Sequence, residues 1–267
     1  MIRCGVPLAW LLALPLAACS LDMPFTTAPA SPSTSPLVQA AIDPDFALLA
    51  QTLPSRTDIP VWLPSEAPRS PASGLCPHYV LYTHPPGNAD SNKYSIVMYC
   101  SAKQYSPDDP TLDPHPAQVG LLGSLDGSKL RPQIGMPFKD PRWRVAEEIQ
   151  LTDAILGQRY TYGNGPVQDA IGWTVGPWQY AAWTNRIGSG DSAALAKELA
   201  ALAAGGPPVA SAARGWVTFE EDNHNFMTIA WQEPDASYYE LDWSRDMASA
   251  FALTRSLVQV SGSHRKP

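Results

Sequence analysis

Cysteine, positive charge and catalytic signatures are all scarce in this chain of 267 residues. Its 4 cysteines include no Cys-x-x-Cys spacing, which excludes a redox pair of that type. Lys and Arg number 18 against 25 Asp and Glu, and they are scattered. The resulting net charge of −7 argues against nucleic acid as a partner and against peripheral binding to anionic lipid. No Gly-x-Ser-x-Gly elbow occurs, and no histidine sits beside a candidate nucleophile in a known motif. The stretch GSGDSAALAKEL, residues 188–199, lacks the Gly-Lys-Ser/Thr ending of a phosphate loop, and Asp191 occupies the helix start where an anion would sit. Glu147-Glu148 and Glu220-Glu221 are adjacent, so they point apart on either element and make poor acid–base pairs. EEDNHN, residues 220–225, lacks the ligand alternation and glycine of a calcium loop, and it reads with Asp108, Asp109 and Asp113 as solvated turn charge. His78 and His84 could share a strand face, but Pro85 ends that strand, and both read as surface histidines rather than a metal pair. No catalytic residue, metal ligand or cofactor is expected.

What the chain does have begins at its N-terminus. One positive charge, Arg3, precedes the apolar run WLLALPLAA, too short to span a bilayer and typical of a secretory signal. The run ends in Leu16-Ala17-Ala18-Cys19. This resembles the lipobox of bacterial lipoproteins, and the resemblance covers only the first twenty or so residues. It implies cleavage before Cys19 and acylation of its thiol, giving a palmitate-type anchor in the cell envelope. The bare alternative is a plain secretory signal with a chance cysteine. Pro, Ser and Thr dominate residues 20–36, which cannot bury enough surface to fold and read as a tether.

Removing residues 1–18 leaves roughly 250, enough for one large or two small domains. The 28 prolines and frequent glycines point to many short strands and turns. With Cys4 lost and Cys19 acylated, Cys76 and Cys100 remain in an oxidising compartment. They flank two apolar-alternating runs, 78–83 and 94–99, around a Pro/Gly/Asn/Asp turn. Folded about Asn88, the hairpin sets Tyr82 against Tyr94, Val80 against Ile96 and Cys76 against Cys100. A disulfide there would stabilise by roughly 3 to 4 kcal/mol. Asp126-Gly127 suggests a further short hairpin. The run PRWRVAEEIQL, residues 141–151, fits a helix started by Pro141 or a strand equally well.

The strongest internal signal is a repeat. Shifted by 58 residues, GQRYTYGNGPVQDAIGWTVGPWQY (157–180) lies without a gap on GWVTFEEDNHNFMTIAWQEPDASY (215–238). Trp173 meets Trp231, and Tyr180 meets Tyr238. Each copy reads as three strands and a helix. The first helix has Asp191 as N-cap, Gly205 beyond its end and a stripe of Leu195, Leu199 and Leu202. The second, capped by Ser244, aligns Met247, Phe251, Thr254 and Val258. The expected fold is α+β: an antiparallel sheet with helices on one face and a duplicated C-terminal strand-strand-strand-helix unit. The expected boundaries are a signal at 1–18, a lipidated tether at 19–56, one domain at 57–260 with units 151–205 and 209–260, and a disordered tail at 261–267.

The segments PVWLPSEAP and IAWQEPDASYYELDW resemble an uncharacterised extracytoplasmic domain family of bacterial lipoproteins and anti-sigma-factor ectodomains, over residues 57–260. That family brings no catalytic residues, and this chain departs from it by carrying the final unit twice. Many tryptophans must be core, but Trp183 lies on the opposite strand face from Trp178 and Tyr180. Trp178 and Trp183 are therefore candidates for stacking on a ligand or partner. The reading is a non-enzymatic, membrane-anchored extracytoplasmic lipoprotein of binding or sensing type. Its partners would be the membrane, through the lipid anchor, and an envelope protein or glycan, with no nucleic acid. A carrier of a lipid or other hydrophobic ligand would need a deep apolar cavity, and a cell-envelope hydrolase a convergent polar cleft.

Overall fold

Alternation of apolar and polar residues builds most of this protein. The structure is a computed structural model that describes residues 42–67, 78–84, 92–111, 119–125, 142–162, 169–184, 191–221, 225–243 and 246–260. In chain order it contains α1 (Ala47–Thr52), flanked by 3-10 turns at Pro44–Phe46 and Leu53–Ser55. Then follow β1 (Trp62–Pro64), β2 (His78–His84), β3 (Lys93–Ser101), β4 (Val119–Ser124), β5 (Trp143–Thr152), β6 (Ile155–Tyr162), β7 (Asp169–Val175) and β8 (Trp178–Thr184). After α2 (Ser192–Ala204) come β9 (Arg214–Glu221), β10 (Phe226–Gln232), β11 (Tyr238–Trp243), α3 (Met247–Arg255) and β12 (Leu257–Gln259). Ten strands form one sheet in the order β2-β3-β4-β11-β10-β9-β8-β7-β6-β5, and β1 pairs with β12 apart from it.

Strand neighbours are antiparallel except β8 and β9, which run parallel. A parallel pair needs a crossover, and α2 lies within it. Trp173, Tyr180, Val217, Ile229, Leu241, Leu121 and Ile96 are successive cross-strand neighbours from β7 to β3. All are buried, in one core with Leu199 of α2 and Phe251 of α3. The helices belong there because each has an apolar stripe at helical spacing: Ala196, Leu199, Ala200 and Ala203 on α2, and Met247, Ala250, Phe251 and Thr254 on α3. Alanine-rich α2 begins at Asp191, whose carboxylate accepts from the Ala193 N–H at 2.9 Å. The cap of α3 is Asp246, accepting from Ser249 N–H at 2.7 Å; Ser244 lies outside the described residues. No helix among the described residues is long and apolar enough to cross a membrane.

The folded body begins before residue 57. Phe46, Leu49 and Leu53 are buried in the core. Asp43 accepts from the N–H groups of Asp45 and Ala67, each at 3.0 Å, and Asp45 accepts from Tyr79 N–H at 2.8 Å. Residues 44–55 therefore belong with the sheet rather than with a tether.

The runs 78–83 and 94–99 do form β2 and β3, but in a different register. Tyr79, not Cys76, lies opposite Cys100, and Tyr82 is opposite Val97. Cross-strand neighbours share a face. Tyr79 and Leu81 face the core with Ile96 and Met98, so odd residues of β2 must meet even residues of β3. A hairpin that pairs Val80 with Ile96 would split that face. The sequence misled because Val80 and Tyr99 are buried as well, on the opposite side of the sheet. The bridge expected between Cys76 and Cys100 loses its register argument. Cys100 is nonetheless disulfide-bonded; Cys76, like Cys19 and Cys4, lies outside the described residues, so the partner sulfur of Cys100 does too. The turn expected at Asp126-Gly127 also lies outside the described residues.

The gapless repeat is corrected too. Both segments supply three antiparallel strands and then a helix, but no duplicated unit is evident. The residue opposite Trp231 is Tyr239, and Tyr238 lies opposite Gln232. Gly176-Pro177 joins β7 to β8, whereas residues 233–237 join β10 to β11, so the constant offset fails between those strands. The helices differ in length, 13 residues against 9. They also differ in role, since α2 crosses over within the sheet and α3 leads to β12, the partner of β1. Residues 143–152, left open between helix and strand, form the exposed edge strand β5, paired to β6 with irregularities at Val145/Glu147 and Gln150/Thr152.

Candidate functional site

Three chain reversals meet at one end of the sheet. Thr152 to Ile155 turns β5 into β6. Gly176-Pro177 turns β7 into β8, with Gly176 at φ 57°, a left-handed conformation that suits glycine. Past α2, Gly206 at φ 109° swings the chain through Pro207 and Pro208 towards β9. Between them lies an open cavity of about 650 Å³, lined by Ile155, Leu156, Val175, Pro177, Trp178 and Tyr180 on the sheet side, and by Ala203, Ala204, Gly206, Pro207, Ala210 and Ala212 on the other. Thr152 and Thr174 add hydroxyls, and among the described residues that line it none is an acid, a lysine, an arginine or a histidine.

Trp178 is 1% exposed and lies opposite Gly215 in the parallel pair. A Cβ on Gly215 would stand 2.3 Å from Cε3 and Cζ3 of that indole, so glycine is what lets the ring lie against the strand. Tyr180 stacks on Trp173 with centroids 5.5 Å apart and an 8° angle. Burial pushes its hydroxyl up to about 12, against a small opposing pull from Arg255. Arg255 braces the opposite wall, donating to Leu202 O at 2.8 Å and Gly206 O at 2.6 Å with its guanidinium over the Phe251 ring. It thereby adds a second donor to Leu202 O, which also accepts from Gly205 N–H at 3.2 Å, and satisfies Gly206 O just past the helix.

The structure separates the two stacking candidates. Trp178 lines the cavity, while half-buried Trp183 lies on the other sheet face, opposite Ala170 and Glu220. The sequence reading missed Ile155, Leu156 and the Ala203–Pro207 wall. Their signal was the pair of breakers, Gly176-Pro177 and Gly205-Gly206-Pro207, whose meeting in space no local pattern reveals.

A second polar cluster has a different character. Ser192 Oγ donates to Asp169, which Arg159 clamps at 3.0 Å while also reaching Glu147 at 2.7 Å. The two carboxylates raise the Arg159 guanidinium further above its usual range. With the hydroxyl, carboxylates and guanidinium paired, this cluster ties the start of α2 to β5, β6 and β7. His78 Nδ1 lies 3.2 Å from Asp45, and among the described residues no group of three or more His, Cys, Asp or Glu could hold a metal. The side chain of His84 is not described. The lipoprotein, membrane and palmitate assignments at Cys19 gain no support from known proteins: no family model matches the chain, and no curated protein or solved structure matches it.

Proposed function

We propose that this is a non-enzymatic binding protein acting outside the cytoplasm, and that it holds a small, largely apolar molecule in the groove between the β7–β8 turn and the end of α2. The cavity carries this reading. Its volume of about 650 Å³ falls within the roughly 300–1,000 Å³ of small-molecule sites, and its lining is aliphatic and aromatic with a few polar groups. Among the readings open from sequence, a carrier or sensor of a hydrophobic ligand is the one this groove supports. A ligand seated there would touch both β8 and the helix end that Arg255 braces, which offers a route for sensing.

N-phenyl-1-naphthylamine, a neutral apolar fluorophore, should bind saturably with enhanced emission. Leu156 is 58% exposed and lines the cavity, so Leu156→Glu should leave stability within about 0.5 kcal/mol. It should weaken the fluorophore by roughly tenfold or more, because a charge at an apolar site must stay solvated. Absence of saturable binding, or equal binding by the variant, would remove the groove from the account.

The extracytoplasmic address in this proposal rests on the sequence of residues 1–36 alone. The intact mass of protein isolated from its native host should begin at Cys19 and carry added acyl mass. An unmodified terminus elsewhere ends the lipid-anchor reading and leaves the groove reading standing.

A further inference from the structure

The lining of the groove says more than that its ligand is apolar. Tyr180 is 1% exposed as a residue and lines the cavity, and its hydroxyl makes no hydrogen bond to another described residue. Other tyrosines of the same core use theirs on backbone: Tyr239 donates to Pro60 O at 3.0 Å, and Tyr94 accepts from Trp62 N–H at 3.1 Å. A polar group on the wall of an apolar cavity, without a described protein partner, is placed to find one in whatever enters. Burial keeps the Tyr180 proton in place well above neutral pH, so the group is available as a donor. The charge of the ligand follows from the surroundings. Among the described residues no cation lines the cavity, and the guanidinium of Arg255 is bound to Leu202 O and Gly206 O. The C-terminal end of α2 carries the negative end of its dipole, which disfavours an anion. No carboxylate among the described residues lines the groove to receive a cation.

We infer that the groove selects a neutral ligand bearing a carbonyl or similar oxygen, which accepts a hydrogen bond from the Tyr180 hydroxyl while its apolar body lies against Trp178. This rests on the binding reading above. The chemical class is an uncharged aromatic or aliphatic ketone, ester or amide.

Two nearly isosteric probes isolate the oxygen: 2-acetylnaphthalene and 2-ethylnaphthalene. The native protein should bind the ketone about 3- to 10-fold more tightly, the range of one net hydrogen bond. 2-Naphthoate, an anion of similar size, should bind more weakly than the ketone. Tyr180→Phe retains the ring stacked on Trp173, and it should abolish the ketone's preference while leaving 2-ethylnaphthalene affinity nearly unchanged. Equal affinity for ketone and hydrocarbon in the native protein overturns the inference, as does a preference that survives in Tyr180→Phe. If Tyr180→Phe does not fold, the comparison of probes on the native protein still decides. If neither neutral probe binds at all, the groove reading itself fails, an outcome distinct from binding without preference.

Discussion

Trp231→Ala should lower the unfolding free energy by about 3–5 kcal/mol, the usual cost of deleting a large core aromatic. Trp231 is 0% exposed. It sits on β10 between Gly215 of β9 and Tyr239 of β11, and stacks on the Tyr239 ring at 5.3 Å. Tyr239 in turn meets Trp62 edge-on at 6.1 Å and bonds Pro60 O, so the cavity left by the indole would open beneath the N-terminal part of the body. Trp216 makes the control. It is half-buried, lies on the opposite face and is covered by Arg214 at 5.3 Å. Trp216→Ala should cost clearly less than Trp231→Ala. Urea denaturation of both variants checks the order, and a loss under about 1 kcal/mol at Trp231 would refute its place in the core.

Gly215→Ala should be nearly as disruptive, from a single added methyl. Overpacking a filled site typically costs about 1–3 kcal/mol. Here the new Cβ would fall 2.3 Å from ring atoms of Trp178, and the indole must move because the strand backbone is held in the sheet on both sides. Since Trp178 is a wall of the groove, the same variant should weaken binding of N-phenyl-1-naphthylamine. Trp178→Leu in the Gly215→Ala background provides the test of cause. Removing the ring makes room for the methyl, so the double variant should lose less stability than the sum of the single losses. Strict additivity in chemical denaturation would show that the two residues do not meet.

Much of the secondary structure was legible without coordinates because it is written locally. Asp191 announces the start of α2 by the cap it makes, and Gly205 its end. The alternation of Met227, Ile229 and Trp231 announces a strand with one buried face. From such signals the sequence by itself determined an α+β protein with an antiparallel sheet, helices with apolar stripes to bury, and a core rich in tryptophan; the ten-strand extent of the sheet and its one parallel pair came from the tertiary structure.

Register and assembly were decided elsewhere. Both β2 and β3 bury residues on two faces, so their alternation cannot choose between one pairing and another three residues away. The choice falls to which residues fit beneath Phe46 and Ile59, and Phe46 was itself read as tether because its short helical segment has little local signal. The 58-residue repeat looked gapless because strand composition repeats, while the differing β7–β8 and β10–β11 turns alter the offset between paired residues without changing the character of either strand. The groove belongs wholly to the tertiary structure. Its walls come from the β5–β6 turn, the β7–β8 turn and the end of α2, separated along the chain and joined only because α2 crosses over to set β9 parallel to β8. A pattern of neighbours in sequence records what each segment can bury, whereas a cavity is space that several segments leave unfilled together.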